Sequence, residues 1–600
     1  MKKTAAFFKS FFAAHRHGIV SLFYALLNAA LIYYCLELGN KNPFMNGIFY
    51  TAVNIITVFT VQAAFYLIFG RWWISSLCTS IPLTLLSIAN YYTLMYRDMP
   101  ISTQDLHNAG TSLSVIGSYS FPVNIYVSAI VVFFLLSLAV TWVLHGREKG
   151  GRICAKQRAA RSVCLLLFCV LFVKAVYLGE NPIKPKDTFV WSWEDSYYTY
   201  GYAASSVEVL QKSVRMIDKP EGYSADAAAQ TAAEVKPQTA AVTPDVILVL
   251  NETFFDLRDI ADFETDTDIM PFIDSLPESS KGRAVVAGTG GGTNKSEYEL
   301  LTGNSLYLMQ GITPFNYLNF DNASSVVSVL RGAGYSSWAA HCAQSTNYAR
   351  GIVYSKLGFD SVLFADDFGK AEKYGKRSYA TDMFCYERMI ADYEKMGDSP
   401  RLMYMLTIQN HGGWELNDES EDLVHASGDF GEYADDVNEF LSCIKLSDEA
   451  FRRLTEYFAD VDRPVVVCMV GDHSPAFAAE LIDKGSMDDV MRVRSTPYVV
   501  WANYDIEQAG GRTLSMPYIV PNLLKAAGAP MSGFYEYMMD MCADVPVVTA
   551  FNIYETADGK RHEYSERTEF SKKIDDYFKL VYNNVGDTAG KLDGFFDIEK

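Results

Sequence analysis

The first 180 residues alternate long apolar runs with short polar breaks, whereas the remainder alternates short apolar runs with amphipathic segments. Apolar residues fill positions 18–36, 47–69, 73–92, 123–144 and 163–178. Each run has about the 20 residues that an α-helix needs to cross roughly 30 Å of hydrocarbon, so five membrane-spanning helices are expected. From residue 245 onward, apolar runs at 246–250, 284–287, 337–340, 402–408, 465–470 and 498–501 read as buried strands between helices. That is the pattern of an α/β domain with a mixed, largely parallel sheet covered on both faces. An aromatic stretch with Trp191, Trp193, Tyr197, Tyr198, Tyr200 and Tyr202 reads as interfacial, and an Ala, Thr and Pro-rich stretch at 224–244 as a linker. The expected division is 1–180 for a five-span transmembrane domain and 181–243 for interfacial helices and linker. Residues 244–545 then form the α/β domain, and 546–600 a C-terminal extension packing on it.

Charge sharpens this division. The chain carries a formal net charge of −20, yet residues 1–180 hold 14 Lys and Arg against 5 Asp and Glu, which leaves −29 for the rest. Lys2, Lys3, Lys9 and Arg16 precede the first run, Arg71 separates the second from the third, and Arg147, Lys149, Arg152, Lys156, Arg158 and Arg161 separate the fourth from the fifth. The alternate loops hold only Lys41 and Arg97. Short basic loops stay in the cytoplasm, so the amino terminus is expected inside the cell membrane and the α/β domain outside. That domain is strongly acidic, which argues against nucleic acid as a partner. Its cysteines are odd in number and form no CxxC pair, which indicates neither a disulfide framework nor a zinc knuckle.

Ligands of open α/β sheets bind beyond the carboxyl ends of the strands, and chemistry gathers there in this sequence. Glu252 follows the first strand, a glycine run ending in Thr293 follows the second, and His341 the third. Asn410 and His411 follow the fourth, and Asp472 and His473 the fifth. Glu252, Asp472 and His473 offer two hard oxygen donors and an imidazole, a set suited to Mn²⁺, Mg²⁺ or Zn²⁺, with the Thr293 oxygen as a fourth position. A free threonine hydroxyl is a poor nucleophile, and a divalent cation together with a helix amino terminus eases loss of its proton. Asn294 and Glu297, three residues apart, also have the spacing of a capping box.

Four segments together carry a resemblance: Asn251-Glu252-Thr253-Phe254, Gly290-Gly291-Gly292-Thr293-Asn294-Lys295-Ser296-Glu297, Asn410-His411-Gly412 and Gly471-Asp472-His473. With five preceding spans and a Tyr-Arg-x-x-Pro outer loop at 96–100, they resemble the lipoteichoic acid synthase family, membrane phosphoglycerol transferases with a sulfatase-like (alkaline-phosphatase-like) catalytic domain. The resemblance implies that Glu252, Thr293, Asp472 and His473 bind a divalent metal, usually manganese, and that Thr293 carries the covalent intermediate. It further implies that His341, Arg350 and His411 contact the glycerophosphate head group, with His341 and His411 as the candidate acid and base. Tyr348 stands where the family commonly has tryptophan, as an apolar wall for the glycerol. The implied donor lipid is phosphatidylglycerol and the implied acceptor a glycolipid or polyglycerolphosphate chain. A phosphoethanolamine transferase is the nearest alternative, and the scattered cysteines argue against it. The Cys/Ser-x-Pro-x-Arg signature of an arylsulfatase is absent.

Overall fold

The computed structural model describes residues 2–598 apart from 43–45, 98–99, 102–120, 149–154, 178–192, 216, 237–239, 310–311, 319, 346, 415, 418, 483–485 and 588. Asp98 and Met99 of the expected outer loop, Trp191, Lys149 and Arg152 lie outside the described residues. The chain divides into two compact units, a helical one up to residue 214 and an α/β one from residue 215.

Five helices of the helical unit are long and apolar enough to cross a membrane. They are α1 (Lys2–Gly39), α2 (Ile48–Phe69), α3 (Trp72–Arg97), α4 (Ile125–Glu148) and α5 (Ala155–Val176). Where lipid offers no hydrophobic drive for helices to associate, small and polar residues join them. Asn28 of α1 donates to the Ser137 hydroxyl of α4 at 2.9 Å, and Ser137 donates to Ser80 of α3 at 2.8 Å.

Two further helices follow, α6 (Trp193–Tyr200) and α7 (Tyr202–Arg215). Buried polar side chains of the first two spans and of the turn that follows the first grip their backbone. Asn40 donates to the Tyr197 carbonyl, Asn42 to Tyr198 and Asn54 to Tyr200, while the Glu37 carboxylate accepts the Tyr202 N–H at 2.8 Å. Tyr197, Tyr200 and Tyr202 are consequently buried within this unit.

The stretch expected to be a linker contains helix α8 (Ala225–Ala233), capped by Ser224, with Ala228 fully buried. An eight-stranded sheet follows: β1 (Asp245–Asn251), β2 (Lys281–Val285), β3 (Ser336–His341), β4 (Ser361–Leu363), β5 (Arg401–Leu406), β6 (Val465–Gly471), β7 (Ser495–Ala502) and β8 (Thr513–Ser515). Their spatial order is β8-β2-β7-β6-β1-β5-β3-β4, and every pair is parallel except those made by β7, which is antiparallel to both neighbours. The central β1 shows why its sequence is apolar without interruption. Val246, Leu248 and Leu250 enter one core cluster and Ile247 and Val249 the other, so both faces are buried.

One face carries α9 (Thr293–Thr302), whose ten residues are all buried, and the other carries α11 (Asp382–Tyr393) and α12 (Ala434–Ala459). A short helix, α10 (Arg350–Leu357), precedes β4. The C-terminal segment adds a three-stranded antiparallel sheet, β9 (Val547–Val548), β10 (Ile553–Glu555) and β11 (Arg561–Glu563), and helix α13 (Ser571–Val585). Its Tyr577 hydroxyl donates to the Gly303 carbonyl at 2.8 Å and accepts the Ser305 N–H at 2.9 Å, just past the end of α9.

Candidate active site

Parallel pairing of β1 with β6 sets Asn251 opposite Gly471, so the residues that follow, Glu252 and Asp472, leave the sheet side by side. Glycine is required at 471, because a Cβ there would lie 1.9 Å from the Phe254 carbonyl oxygen as the chain folds over β6. Between them Thr253 takes a left-handed backbone, φ +48°. A β-branched residue in that region costs about 1–3 kcal/mol and persists only where surroundings over-determine it. Here its N–H donates to Asp472 Oδ1 at 2.6 Å and its hydroxyl to Glu252 Oε1 at 2.9 Å.

The glycine run reaches the same place from β2. Gly290 donates its N–H to the Ser474 carbonyl at 2.9 Å, and Gly292, at φ +91°, turns the chain into α9. Thr293 is the first residue of that helix, where its positive end lies, and its hydroxyl donates to Glu252 Oε2 at 3.2 Å. No side chain caps α9, so the Asn294 and Glu297 capping box is not formed.

Glu252, Asp472 and His473 are buried, and one ligand atom from each lies within 4.8 Å of the others. His473 Nδ1 is 3.0 Å from the Ser474 carbonyl, which can only accept, so this nitrogen carries a proton. Its Nε2 stands 3.2 Å from Asp472 Oδ2 and 3.4 Å from Glu252 Oε1. Burial and the nearby Glu252 push Asp472 up to about 7. Burial opposes protonation of His473, but the charges of Asp472 and Glu252 outweigh it and hold the imidazole at about 9. Burial likewise penalises the Glu252 carboxylate, and the His473 hydrogen bond with the His411 and His473 charges pulls it down to about 2. Asp472 Oδ2 is buried and accepts no hydrogen bond among the described residues. Two carboxylates, an imidazole and a hydroxyl with an oxygen to spare form a donor set that fits a hard or borderline divalent cation.

Around this cluster, His341 ends β3 and its Nδ1 donates to the Leu406 carbonyl at 3.0 Å, leaving Nε2 as an acceptor. Burial and the Arg350 charge push its pKa down to about 3, so it is neutral at working pH. His411 is half-buried, and desolvation lowers its pKa too. Its loop is pinned by buried Arg377, which is paired with Glu439 and donates to the carbonyls of Gln409, His411 and Gly413. Arg350 opens α10. Its Nε donates to Glu297 Oε2 at 2.8 Å, and Tyr354 donates to the same carboxylate. No hydrogen bond joins the two terminal nitrogens of Arg350 to the described residues, so the fork that grips phosphate is unspent. The guanidinium lies over the Tyr348 ring at 5.1 Å.

The structure thus brings Glu252, Thr293, Asp472 and His473 together. His341 and His411 lie close enough to feel the Glu252 charge, and Arg350 close enough to act on His341. Sequence reasoning missed Arg377 and the role of Glu297. It also missed the network beneath the site, where Asn251 donates to Asp382 at 2.8 Å, Asn410 to Asn251 at 3.0 Å and Ser447 to Asp382 at 2.6 Å.

Residues 244–529 match the sulfatase family model. A Rhizobium meliloti (strain 1021) protein named for modification of cyclic beta-1,2-glucan is 27% identical over 358 residues, covering 56% of this chain and 54% of that protein. The capsular polysaccharide biosynthesis protein RkpI of the same organism is 26% identical over 238 residues, covering 39% and 41%. The chain therefore spans about half the length, or less, of these curated relatives. Among solved structures, the Streptococcus pyogenes phosphoglycerol transferase GacH, in complex with sn-glycerol-1-phosphate, shares the fold with a TM-score of 0.52 at 19% identity, covering 62% of this chain and 96% of that one.

Proposed function

We propose that this chain, a sulfatase-family domain following five apolar helices, transfers phosphoglycerol from phosphatidylglycerol to a cell-envelope acceptor and releases diacylglycerol. The observation that carries the reading is the buried hydroxyl of Thr293 at the start of a helix, in contact with one carboxylate of a divalent-cation donor set. Thr293 Oγ bonds to phosphorus as the phosphorus–oxygen bond to diacylglycerol breaks, and the acceptor hydroxyl later displaces threonine. Glu252, Thr293, Asp472 and His473 would hold the metal, Mn²⁺ or else Mg²⁺ or Zn²⁺. When bound, that ion lowers the proton affinity of the hydroxyl and neutralises phosphoryl charge.

The unspent fork of Arg350, aimed by Glu297, suits two phosphoryl oxygens. The Thr293 proton passes to the departing diacylglycerol oxygen and the acceptor proton later returns to Thr293 Oγ, with His341, neutral and presenting its Nε2 lone pair, and His411, whose pKa is also lowered, as the two imidazoles that can relay them. Tyr348 walls the glycerol. The amino terminus is cytoplasmic and the domain extracellular in this reading, which keeps the site on the leaflet that supplies the lipid.

Two acceptors compete. A lipoteichoic acid chain follows from the family resemblance, whereas another envelope glycan is favoured by relatives named for glucan modification and capsular polysaccharide biosynthesis. Incubating the membrane enzyme with labelled phosphatidylglycerol or phosphatidylethanolamine, with and without Mn²⁺ and each acceptor, separates these readings. Thr293→Ala is expected to cut metal-dependent diacylglycerol release by about 10⁴-fold or more, as loss of a nucleophile does. Normal turnover by that variant would refute the nucleophile assignment, and transfer of label from phosphatidylethanolamine alone would replace the donor.

A further inference from the structure

Tyr379 stands outside every role described above. It follows the buried Arg377 by two residues on the segment leading into α11, and its ring packs on His411 with centroids 5.0 Å apart. The Arg377 guanidinium lies 5.6 Å from the ring centroid. The Tyr379 hydroxyl is shielded from solvent and has no hydrogen-bond partner among the described residues. It is also near enough to Glu252 to feel that carboxylate, which locates it on the site side of the segment. Nη1 and Nη2 of Arg377 are taken by Glu439 and three carbonyls, and its Nε, also without a partner among the described residues, makes no hydrogen bond to that hydroxyl.

A buried hydroxyl without a partner is costly, and the cost is recovered when a ligand supplies one. Phosphoryl oxygens only accept and an ammonium only donates, whereas a phenol does both, as does an alcohol. Burial pushes the phenol up to about 12, so it keeps its proton. We propose that the Tyr379 hydroxyl hydrogen-bonds a hydroxyl of the alcohol esterified to the phosphorus, so that Tyr379 sets the head-group preference of the phosphoryl donor. This rests on the transferase reading above.

The test compares kcat/KM of the full-length membrane enzyme and its Tyr379→Phe variant on two lipids with the same acyl chains. One is phosphatidylglycerol and the other phosphatidylethanol, whose head group lacks any hydroxyl. Phenylalanine keeps the ring on His411, so the melting temperature should not move. The expected result is a roughly tenfold loss on phosphatidylglycerol and less than about a twofold change on phosphatidylethanol. Equal losses on both lipids, or none on phosphatidylglycerol, would overturn the assignment while leaving the transferase reading intact. A wild type that ignores phosphatidylglycerol altogether would overturn both, and this is seen before the variant is assayed.

Discussion

Both ends of strand β1 bury a carboxylate, and they treat it in opposite ways. At the amino end, Asp245 Oδ1 accepts the Arg401 N–H and an Arg463 Nη2 proton, each at 2.9 Å. Its Oδ2 accepts the Tyr393 hydroxyl at 2.6 Å, with Arg401 Nη1 at 3.4 Å. Two guanidiniums belonging to the fold neutralise one carboxylate there, and both oxygens are satisfied. Seven residues on, Glu252 and Asp472 share one imidazole, one of their oxygens accepts no hydrogen bond, and the intervening Thr253 has a left-handed backbone. Permanent cations make a structural carboxylate, whereas a deficit of fixed positive charge leaves room for an exchangeable one.

The comparison is broken most forcefully by neutralising one carboxylate at each end. Asp245→Asn leaves the buried Arg401 and the half-buried Arg463 guanidiniums facing an amide, and loss of one partner of a buried pair costs about 3–5 kcal/mol. Its melting temperature should fall by many degrees while the folded fraction keeps its turnover. Asp472→Asn should behave in reverse. Bound metal and turnover should drop by more than about 100-fold, beyond the usual effect of losing a supporting partner of a metal ligand. The metal-free variant should be at least as stable as the metal-free wild type, because a repelling charge has been removed. Calorimetry with elemental analysis of both variants checks this, and an Asp472→Asn protein as unstable as Asp245→Asn would erase the distinction.

How much of this was legible before folding follows the same division. The spans could be read because a long apolar run needs no tertiary partner to declare itself. Strands β1 and β6 could be read for a similar reason, since both of their faces are apolar, and Glu252 and Asp472 followed as polar residues at their exits. The direction of β7 was hidden, because antiparallel pairing is a property of its neighbours. Strands β4 and β8 have three residues each, too few for a pattern. Glu297 was misread because its spacing from Asn294 fits a cap, whereas its actual partner, Arg350, lies 53 residues away and meets it only through the fold. The C-terminal segment concealed Tyr577, whose contacts with Gly303 and Ser305 support the far end of the helix that Thr293 begins.

A pH titration sharpens the contrast at intermediate scale. His341 is held neutral in the folded chain, at about 3, against about 6.5 for an ordinary imidazole. The unfolded chain therefore binds this proton first as pH falls, so its contribution to stability is complete above about 6.5 and declines as pH drops towards 3. His341→Asn should flatten that part of the stability curve measured by denaturant unfolding between pH 4 and 7. Parallel curves for the two proteins would show that the imidazole is not desolvated. Asp245→Asn should leave this slope in place, since the group responsible lies at the other end of the sheet.

The smallest expected effect concerns strain. Tyr348 and Ala349 take left-handed backbones in succession, φ +52° and +55°, immediately before Arg350. Alanine there costs about 1–2 kcal/mol that glycine would not incur. Glycine in turn loosens the unfolded chain by about 0.4–1 kcal/mol, so Ala349→Gly should gain at most about 1.6 kcal/mol in stability. No such strain is found among the described residues flanking Asp245, and a glycine there would only destabilise. If the strained turn aims the Arg350 fork, relaxing it should raise KM for the lipid a few-fold as stability rises. A variant that gains stability with KM unmoved would show that Glu297 alone suffices to hold the guanidinium, and that the strain follows from the approach to α10 rather than serving the site.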